Sequence, residues 1–536
     1  SKILLRGNSM ASGHSDELLV TAREVTVGTA WLFGGSVSAT IISAICSIII
    51  ARLLGPELYG MYSLALVVPS FLLLFTDFGI SPAITRYTAK LRADGSEGLI
   101  APLLRAGFAF NLLTAFSVLF LGLILSDFLA ATLINRPELA FLARASVFLV
   151  LFQALISTAN STLMGFNNMR DLAFIDIIHR TVRTLISPLL IIVGFSVLGA
   201  IIGHVLAYGL AALAAALIAY HKHYRGVRSG HQSDLGGSTM KNLKTMVGYG
   251  LPLYLSSTLN SILGVIQGII LAYFATDFMI GNFKVAMNFT ILIALLSGPI
   301  ATTLFPAFSK LSSKSDEIKK MFSYSVKYTA ALIVPATVFV IIASKELIAL
   351  IYGPSYTLAP TFLALYAISF LYAGFGSAVL GSFFNGIGET KVSLKATAIN
   401  SMFFIPSALL LTKAYSMTGL ISSILISALA SLAYSLWVAA NKFDMKISLQ
   451  DSFRVYASSA ISAIPTALLI SSLQLPIILR LAISATVYAS LYLTLMPTIG
   501  GIKSVDIENF RAVFKAGPLK PIIDLALKYE AKLIRS

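Results

Sequence analysis

The sequence predicts an all-α integral membrane protein of about fourteen transmembrane helices. These form two six-helix bundles related by an internal repeat, with a further helical pair behind them. Three observations carry this reading. The 536 residues are 57% hydrophobic and only 12% charged, whereas soluble domains are about 45–50% apolar and about 25% charged. The apolar residues come in runs long enough to cross a hydrocarbon core, which takes about 20 residues each. Short motifs also recur at a nearly constant offset between equivalent runs. So apolar a composition excludes a cytosolic enzyme, a secreted protein and a nucleic-acid-binding domain.

The runs fall at 26–50, 58–80, 102–126, 139–165, 172–195, 198–220, 246–273, 283–307, 322–344, 357–386, 392–413, 417–440, 453–473 and 476–499. Residues 1–24 are mixed polar and show no secretory signal pattern, so a cytoplasmic N-terminal segment is expected. Lys and Arg outnumber Asp and Glu by 39 to 23, and the excess sits in alternate loops. With the N-terminus cytoplasmic, the inner loops hold Arg86, Lys90, Arg92, Arg170, Lys222, Arg225, Arg228, Lys241, Lys244, Lys310, Lys314, Lys319, Lys320, Lys391, Lys442 and Lys446. The outer loops hold little beyond Arg52, Arg136, Lys345 and Lys413. Positive charge marks the cytoplasmic side and contacts anionic lipid. A multi-pass protein of the cell membrane with both termini cytoplasmic follows. The tail, 501–536, carries an amphipathic stretch at 522–534, which reads equally as a helix lying on the inner leaflet or as a solvated one. The single cysteine, Cys46, lies within an apolar run and reads as a small packing side chain.

The repeat shows at three places. A shift of 221 residues sets Gly60 on Gly281, Tyr62 on Phe283 and Ala65 on Ala286. The same shift sets the link Gly165-Phe-Asn-Asn-Met-Arg170 on Gly386-Ile-Gly-Glu-Thr-Lys391, and a shift of 220 pairs Gly199 with Gly419. The expected organisation is a bundle at 25–221, a basic linker at 222–244, a second bundle at 245–441, helices 13 and 14 at 442–500, and the tail. An even number of helices per bundle leaves both halves in the same orientation, a plan used by secondary transporters.

The stretch Ala51-Arg-Leu-Leu-Gly-Pro-Glu-Leu-Tyr-Gly-Met-Tyr-Ser-Leu-Ala65, followed by Asp77-Phe-Gly-Ile-Ser-Pro-Ala-Ile-Thr-Arg86-Tyr87, resembles the polysaccharide transporter (Wzx-type flippase) family. That family belongs to the multidrug/oligosaccharidyl-lipid/polysaccharide (MOP) exporter superfamily, which also holds the MATE transporters and the lipid II flippases. The second half departs from the signature, with Asp277-Phe278 where the first has Pro56-Glu57. The resemblance implies a MATE-like fold of two bundles around a central cavity. It also implies flipping of a lipid-linked oligosaccharide, on a polyprenyl phosphate or pyrophosphate carrier, from the cytoplasmic to the outer face.

No catalytic motif, paired metal spacing or phosphate-binding Gly-rich loop is present. Charge inside a span is costly and therefore suggests function. Asp176, His179, Arg180 and Arg183 follow the spacing i, i+3, i+4, i+7 and share one helical face. Two arginines and a histidine suit a phosphate, and Asp176 could orient an arginine or carry a proton. The other reading is a cluster near the inner interface whose arginines reach out to water. Lys284, Asn288, Asn260 and Gln267 are candidates for a second polar wall offering hydrogen bonds to sugars, or for interhelical packing. The resemblance makes Asp77 and Arg86 an inner-gate element, with a structural turn as the alternative. Arg52 and Glu57 read as an outer-gate pair around a turn.

The expected activity is transport for cell-surface polysaccharide or glycoprotein glycan assembly, without enzymatic chemistry. No cofactor or metal is expected, and coupling to H⁺ or Na⁺ is left open. Expected partners are the lipid-linked oligosaccharide, membrane lipids and glycan-assembly enzymes; no nucleic acid is expected, and the chain is expected to act as a monomer. The alternative is a cation-coupled multidrug or small-molecule exporter of the same superfamily, which would need acidic residues in its first-half cavity.

Overall fold

The computed structural model describes residues 2–224, 239–309, 315–502 and Asp506; the side chains of 2–33, 223, 256, 260, 294–303 and 305–307 are outside that description. Most of the basic linker and the stretch 522–534 therefore lie outside the described residues. Among the described residues every regular element is helical. The first unit, Ser1–Tyr273, holds α1 (Lys2–Ala65), α2 (Val67–Leu73), α3 (Ile80–Ala93), α4 (Ile100–Thr132), α5 (Ala140–Gly165), α6 (Met169–Leu190) and α7 (Ser196–Ala219). It also takes in almost all of α8 (Thr239–Phe274). The second, Phe274–Ser536, holds α9 (Asp277–Ser309), α10 (Asp316–Ile342), α11 (Ser344–Ile351), α12 (Ala359–Leu371), α13 (Ser377–Gly386), α14 (Thr390–Phe443), α15 (Leu449–Ser472) and α16 (Ile477–Thr498).

Among the described residues nine helices are long and apolar enough to span a membrane, or ten with the 52° bend between Ala359–Phe375 and Ser377–Gly386 taken as one span. Three of the nine, Gly34–Leu73, Met169–Lys222 and Thr390–Phe443, each cover two of the predicted runs. The reason is that the chain turns back with only one or two residues out of helical geometry. In α1 the break is Gly55 (φ 74°), followed by Pro56. Ser47 Oγ and Tyr59 Oη then lie 3.0 Å apart, although twelve residues of straight helix would set them about 18 Å apart along the axis. In α14 the break is Ser416, and Ser431 Oγ donates to the Ala396 carbonyl (3.0 Å), joining the two arms.

The repeat is visible in backbone geometry. Ser196 has φ 49°, ψ −131°, and Ser416, 220 residues on, has φ 52°, ψ −131°. The two following glycines allow the arms to meet, since a Cβ at Gly199 would strike the Leu190 backbone and one at Gly419 the Leu411 backbone. The turn before α6 has Asn167 at φ 58°, and the turn before α14 has Gly388 at φ 82°. Asn168 N–H donates to the Leu163 carbonyl and Glu389 N–H to Phe384 (2.9 and 2.8 Å); both partners are shifted by 221. Each hairpin is also closed by an ion pair, Lys222–Asp171 and Lys442–Glu389, both at 2.6 Å.

Within the first unit α1 packs along α6, α4 on α5, and α5 and α6 on α7. Cys46 is buried. Within the second, α9 packs on α12 and α13, and α10 on α12 and α15. An aromatic cluster of Phe308, Phe322, Phe383 and Phe443 fills one end. At α10, Lys327 Nζ meets Asp506 Oδ2 at 2.7 Å with both side chains buried, and Tyr328 Oη donates to the other carboxylate oxygen (3.0 Å). A buried charge stripped of its partner costs several kcal/mol, whereas an apolar replacement of the pair is tolerated.

Two stability predictions follow from this geometry. Ser196→Gly and Ser416→Gly should each raise thermal stability by about 1 kcal/mol, the relief of a sparsely populated φ/ψ less the entropy of glycine. Gly199→Ala and Gly419→Ala should lower it, all read by thermal unfolding in detergent. Asp506→Ala should destabilise by about 3–5 kcal/mol. The double variant Lys327→Met with Asp506→Leu should regain most of that loss in the same measurement.

Candidate functional site

The polar stripe lies on α6, which starts where Asn168 accepts the Asp171 N–H (3.3 Å) and runs on as an amphipathic helix. Arg180 Nε donates to Asp176 Oδ1 (3.1 Å), with both side chains about one-third exposed (32% and 40%). The terminal nitrogens of Arg180 make no protein contact among the described residues. Arg183, three residues on along the same face, takes a different partner, and its Nη2 donates to Tyr62 Oη (2.8 Å). That hydroxyl also lies 3.2 Å from His204 Nδ1, so Tyr62 accepts from the guanidinium and can donate a hydrogen bond to the imidazole. His179 is buried beside it, with Tyr208 at 4.0 Å and His204 at 6.3 Å between ring centroids. Two residues of the stripe, His179 and Arg183, thus belong to a buried aromatic cluster or its edge, and the other two form a half-open ion pair.

Asp176 also borders a cavity of about 310 Å³ walled by Gly35 and Ser36 of α1 and by Ser157, Asn160 and Ser161 of α5. The Asn160 Oδ1 is buried without a hydrogen-bond partner among the described residues. The cavity wall offers a carboxylate, hydroxyls and an amide suited to sugar oxygens, and Arg180 is bonded to that carboxylate without itself forming part of the wall. A phosphate next to a cationic planar fork accepts two parallel hydrogen bonds.

The other candidates are placed as follows. Asp77 accepts the backbone N–H groups of Gly79 (3.2 Å) and Ser81 (3.0 Å) and so caps the start of α3. It also accepts from Ser81 Oγ (2.5 Å) and Asn111 Nδ2 (3.2 Å). Asn111 reaches Thr158 Oγ1 at 2.8 Å, so this network joins α3, α4 and α5. Arg86 stacks its guanidinium 4.2 Å over the Tyr249 ring of α8 and does not pair with Asp77. Arg52 and Glu57 are both exposed near Gly55. Gln267 lies on α8 in the first unit, half-buried; Asn260 lies on the same helix, with its side chain outside the described residues. Lys284 and Asn288 lie on α9 in the second unit, both half-buried. Lys284 has no hydrogen bond or ion pair among the described residues.

Sequence reasoning did not single out Tyr62, Tyr208, Asn111 or the α5 wall. Tyr62 did stand in the repeat motif, set on Phe283, which lacks the hydroxyl. That loss in the second copy was the available signal. The same shift places Thr397, Asn400, Ser401 and Phe404 where the first half has Asp176, His179, Arg180 and Arg183, so the charged stripe belongs to one half alone.

The fold has known relatives. The structure superposes on the lipid II flippase MurJ in an inward closed conformation with a TM-score of 0.70 at 15% identity, covering 87% of this chain and 97% of that one. It also superposes on an inward-facing multidrug resistance MATE family transporter of the MOP superfamily (TM-score 0.61, 16% identity, 76% and 94% covered). In sequence the chain is 22% identical over 377 residues to an uncharacterized membrane protein of Methanocaldococcus jannaschii, covering 67% of this chain and 73% of that protein. It is 22% identical over 189 residues to the "Probable low-salt glycan biosynthesis flippase Agl15" of Haloferax volcanii, covering 35% of this chain and 40% of that protein. The helical fold and these likenesses make this a multi-pass membrane protein of MOP-type architecture. The sequence pattern of the family described as "Polysaccharide biosynthesis protein" spans residues 49–361, more than half of the chain, and the protein belongs to that family.

Proposed function

We propose that the protein is a flippase that moves a lipid-linked oligosaccharide, on a polyprenyl phosphate or pyrophosphate carrier, from the cytoplasmic to the outer leaflet of the cell membrane by alternating access. The product feeds assembly of cell-surface polysaccharide or glycoprotein glycan. The observation that carries this reading is Arg180, held by Asp176 at 3.1 Å with its outer edge open, beside a polar cavity in the first unit. Two relatives support it by name, one a lipid II flippase and one a glycan biosynthesis flippase. Arg180 takes the phosphate, Asp176 fixes its rotamer, and Ser157, Asn160 and Ser161 meet sugar hydroxyls. Arg183 keeps the local potential positive from behind. Both termini are cytoplasmic in this reading, and the chain acts as a monomer without a cofactor. A cation-coupled exporter would need a carboxylate free to take up the cation, whereas Asp176 is already matched to an arginine.

The test is flipping of a fluorescent polyprenyl-pyrophosphate sugar in proteoliposomes. Arg180→Ala with Arg183→Ala should lose about ten-fold or more in rate, the value of one charge-assisted hydrogen bond, with the protein still folded. Equal rates would remove the site from the reading. No flipping by the intact chain, together with efflux of organic cations, would favour the exporter. Separately, Tyr62→Phe should lower thermal stability by about 1–3 kcal/mol, because it leaves the Arg183 guanidinium without its acceptor.

A further inference from the structure

The two arms of α14 enclose a second polar cavity, of about 500 Å³, at the end of the helix pair where Glu389 and Lys442 sit. Lys391 and Lys395, four residues apart, line it from the first arm, and Tyr434 and Trp437 from the second. Glu389 is already matched by Lys442 at 2.6 Å. That pair repeats the Asp171–Lys222 tie of the first unit and closes the hairpin. Lys391 and Lys395 are left exposed, with no hydrogen bond or ion pair among the described residues. The repeat sets Lys395 on Phe174, so this lysine is an addition of the second half and not part of the shared hairpin.

We propose that this cavity binds the phosphate of an anionic membrane lipid. Trp437 stacks on Tyr434, with centroids 6.5 Å apart, and is 64% exposed; such aromatic pairs sit at the headgroup level of a bilayer. Leu394 and Met402, further along the first arm, are exposed apolar side chains placed to meet acyl chains. A lysine pair beside an aromatic belt and an apolar track suits a phosphate that carries hydrocarbon, which a soluble phosphate lacks. Basic groups at the inner leaflet gain about 1 kcal/mol each from anionic lipid. The proposal rests on the membrane fold and not on the identity of the transported substrate.

The chain has two tryptophans, so Trp31→Phe leaves Trp437 as the sole reporter. The full-length variant is placed in vesicles doped with phosphatidylglycerol or phosphatidylcholine brominated on the acyl chains, and Trp437 quenching is measured. Phosphatidylglycerol should associate about five-fold or more tightly. Lys391→Gln with Lys395→Gln should abolish that preference, and Lys90→Gln with Arg92→Gln should leave it unchanged. Native mass spectrometry of lipid bound to the chain with both tryptophans, with and without the Lys391 and Lys395 substitutions, reads the same preference should Trp31→Phe impair folding. Equal association of the two lipids, or a preference that survives the lysine substitutions, would overturn the proposal. A shift of Trp437 emission by inorganic phosphate in detergent, without any lipid preference, would assign the site to a soluble anion and overturn the lipid assignment.

Discussion

A charged side chain that cannot reach water must find its partner within the protein, and in the first unit this constraint organises everything around α6. The Arg183 guanidinium would be stranded but for Tyr62. Tyr62 is in place because the chain reverses at Gly55-Pro56 and returns its side chain towards α6 and α7. His204 of α7 then takes the remaining face of the same hydroxyl. One reversal in α1 therefore fixes the aromatic cluster and the partner of Arg183, while Arg180, less than a turn away on the same face, keeps to Asp176. The Arg183 Nε is still buried without a partner among the described residues, so the guanidinium is held by its tip.

Two copies of the hairpin share the turns but not the contents. The backbone at Ser196 and Ser416 and the turns at Asn167 and Gly388 coincide at a shift of 220 or 221, and each hairpin carries a closing pair, Lys222–Asp171 and Lys442–Glu389, in which the lysines correspond but the acids do not. These are the positions that decide how a helix pair closes, and a bilayer allows few solutions because every backbone group must be satisfied within the protein. The interior stripe has no such requirement. It is charged in the first half and reads Thr397, Asn400, Ser401 and Phe404 in the second. The architecture is held by the turns, and the chemistry diverges between them.

Most of the fold was legible in the sequence because hydropathy and charge bias act locally. Run limits and the repeat could be read without knowing any contact. The reversals at Gly55, Ser196 and Ser416 were legible as breaks between runs, but a loop of one or two residues leaves almost no polar signature, so their backbone geometry was not. The α6 stripe was legible for the same local reason, as Asp176 and Arg180 are one helical turn apart. Its partners were not, because Tyr62 lies 121 residues before Arg183 and Asn160 belongs to another helix. Asp77 and Arg86 stand nine residues apart and were read as one element. Asp77 caps α3 and Arg86 stacks on Tyr249, so each has its own partner.

The choice of partners bears on the anion proposed for the stripe. Had Arg183 met a carboxylate, each arginine would be neutralised, and the cavity beside Asp176 would present no net charge. The partner is instead a phenol, which accepts a hydrogen bond from the guanidinium while contributing no formal charge of its own. Asp176 therefore balances one of two cations. The surplus positive charge stays in a low-dielectric setting, where its attraction for a phosphate exceeds what an exposed arginine would exert. The buried imidazoles of His179 and His204 surround that charge without cancelling it. The aromatic cluster thus stabilises the fold and also preserves the electrostatic asymmetry that the proposed anion binding in the first unit uses.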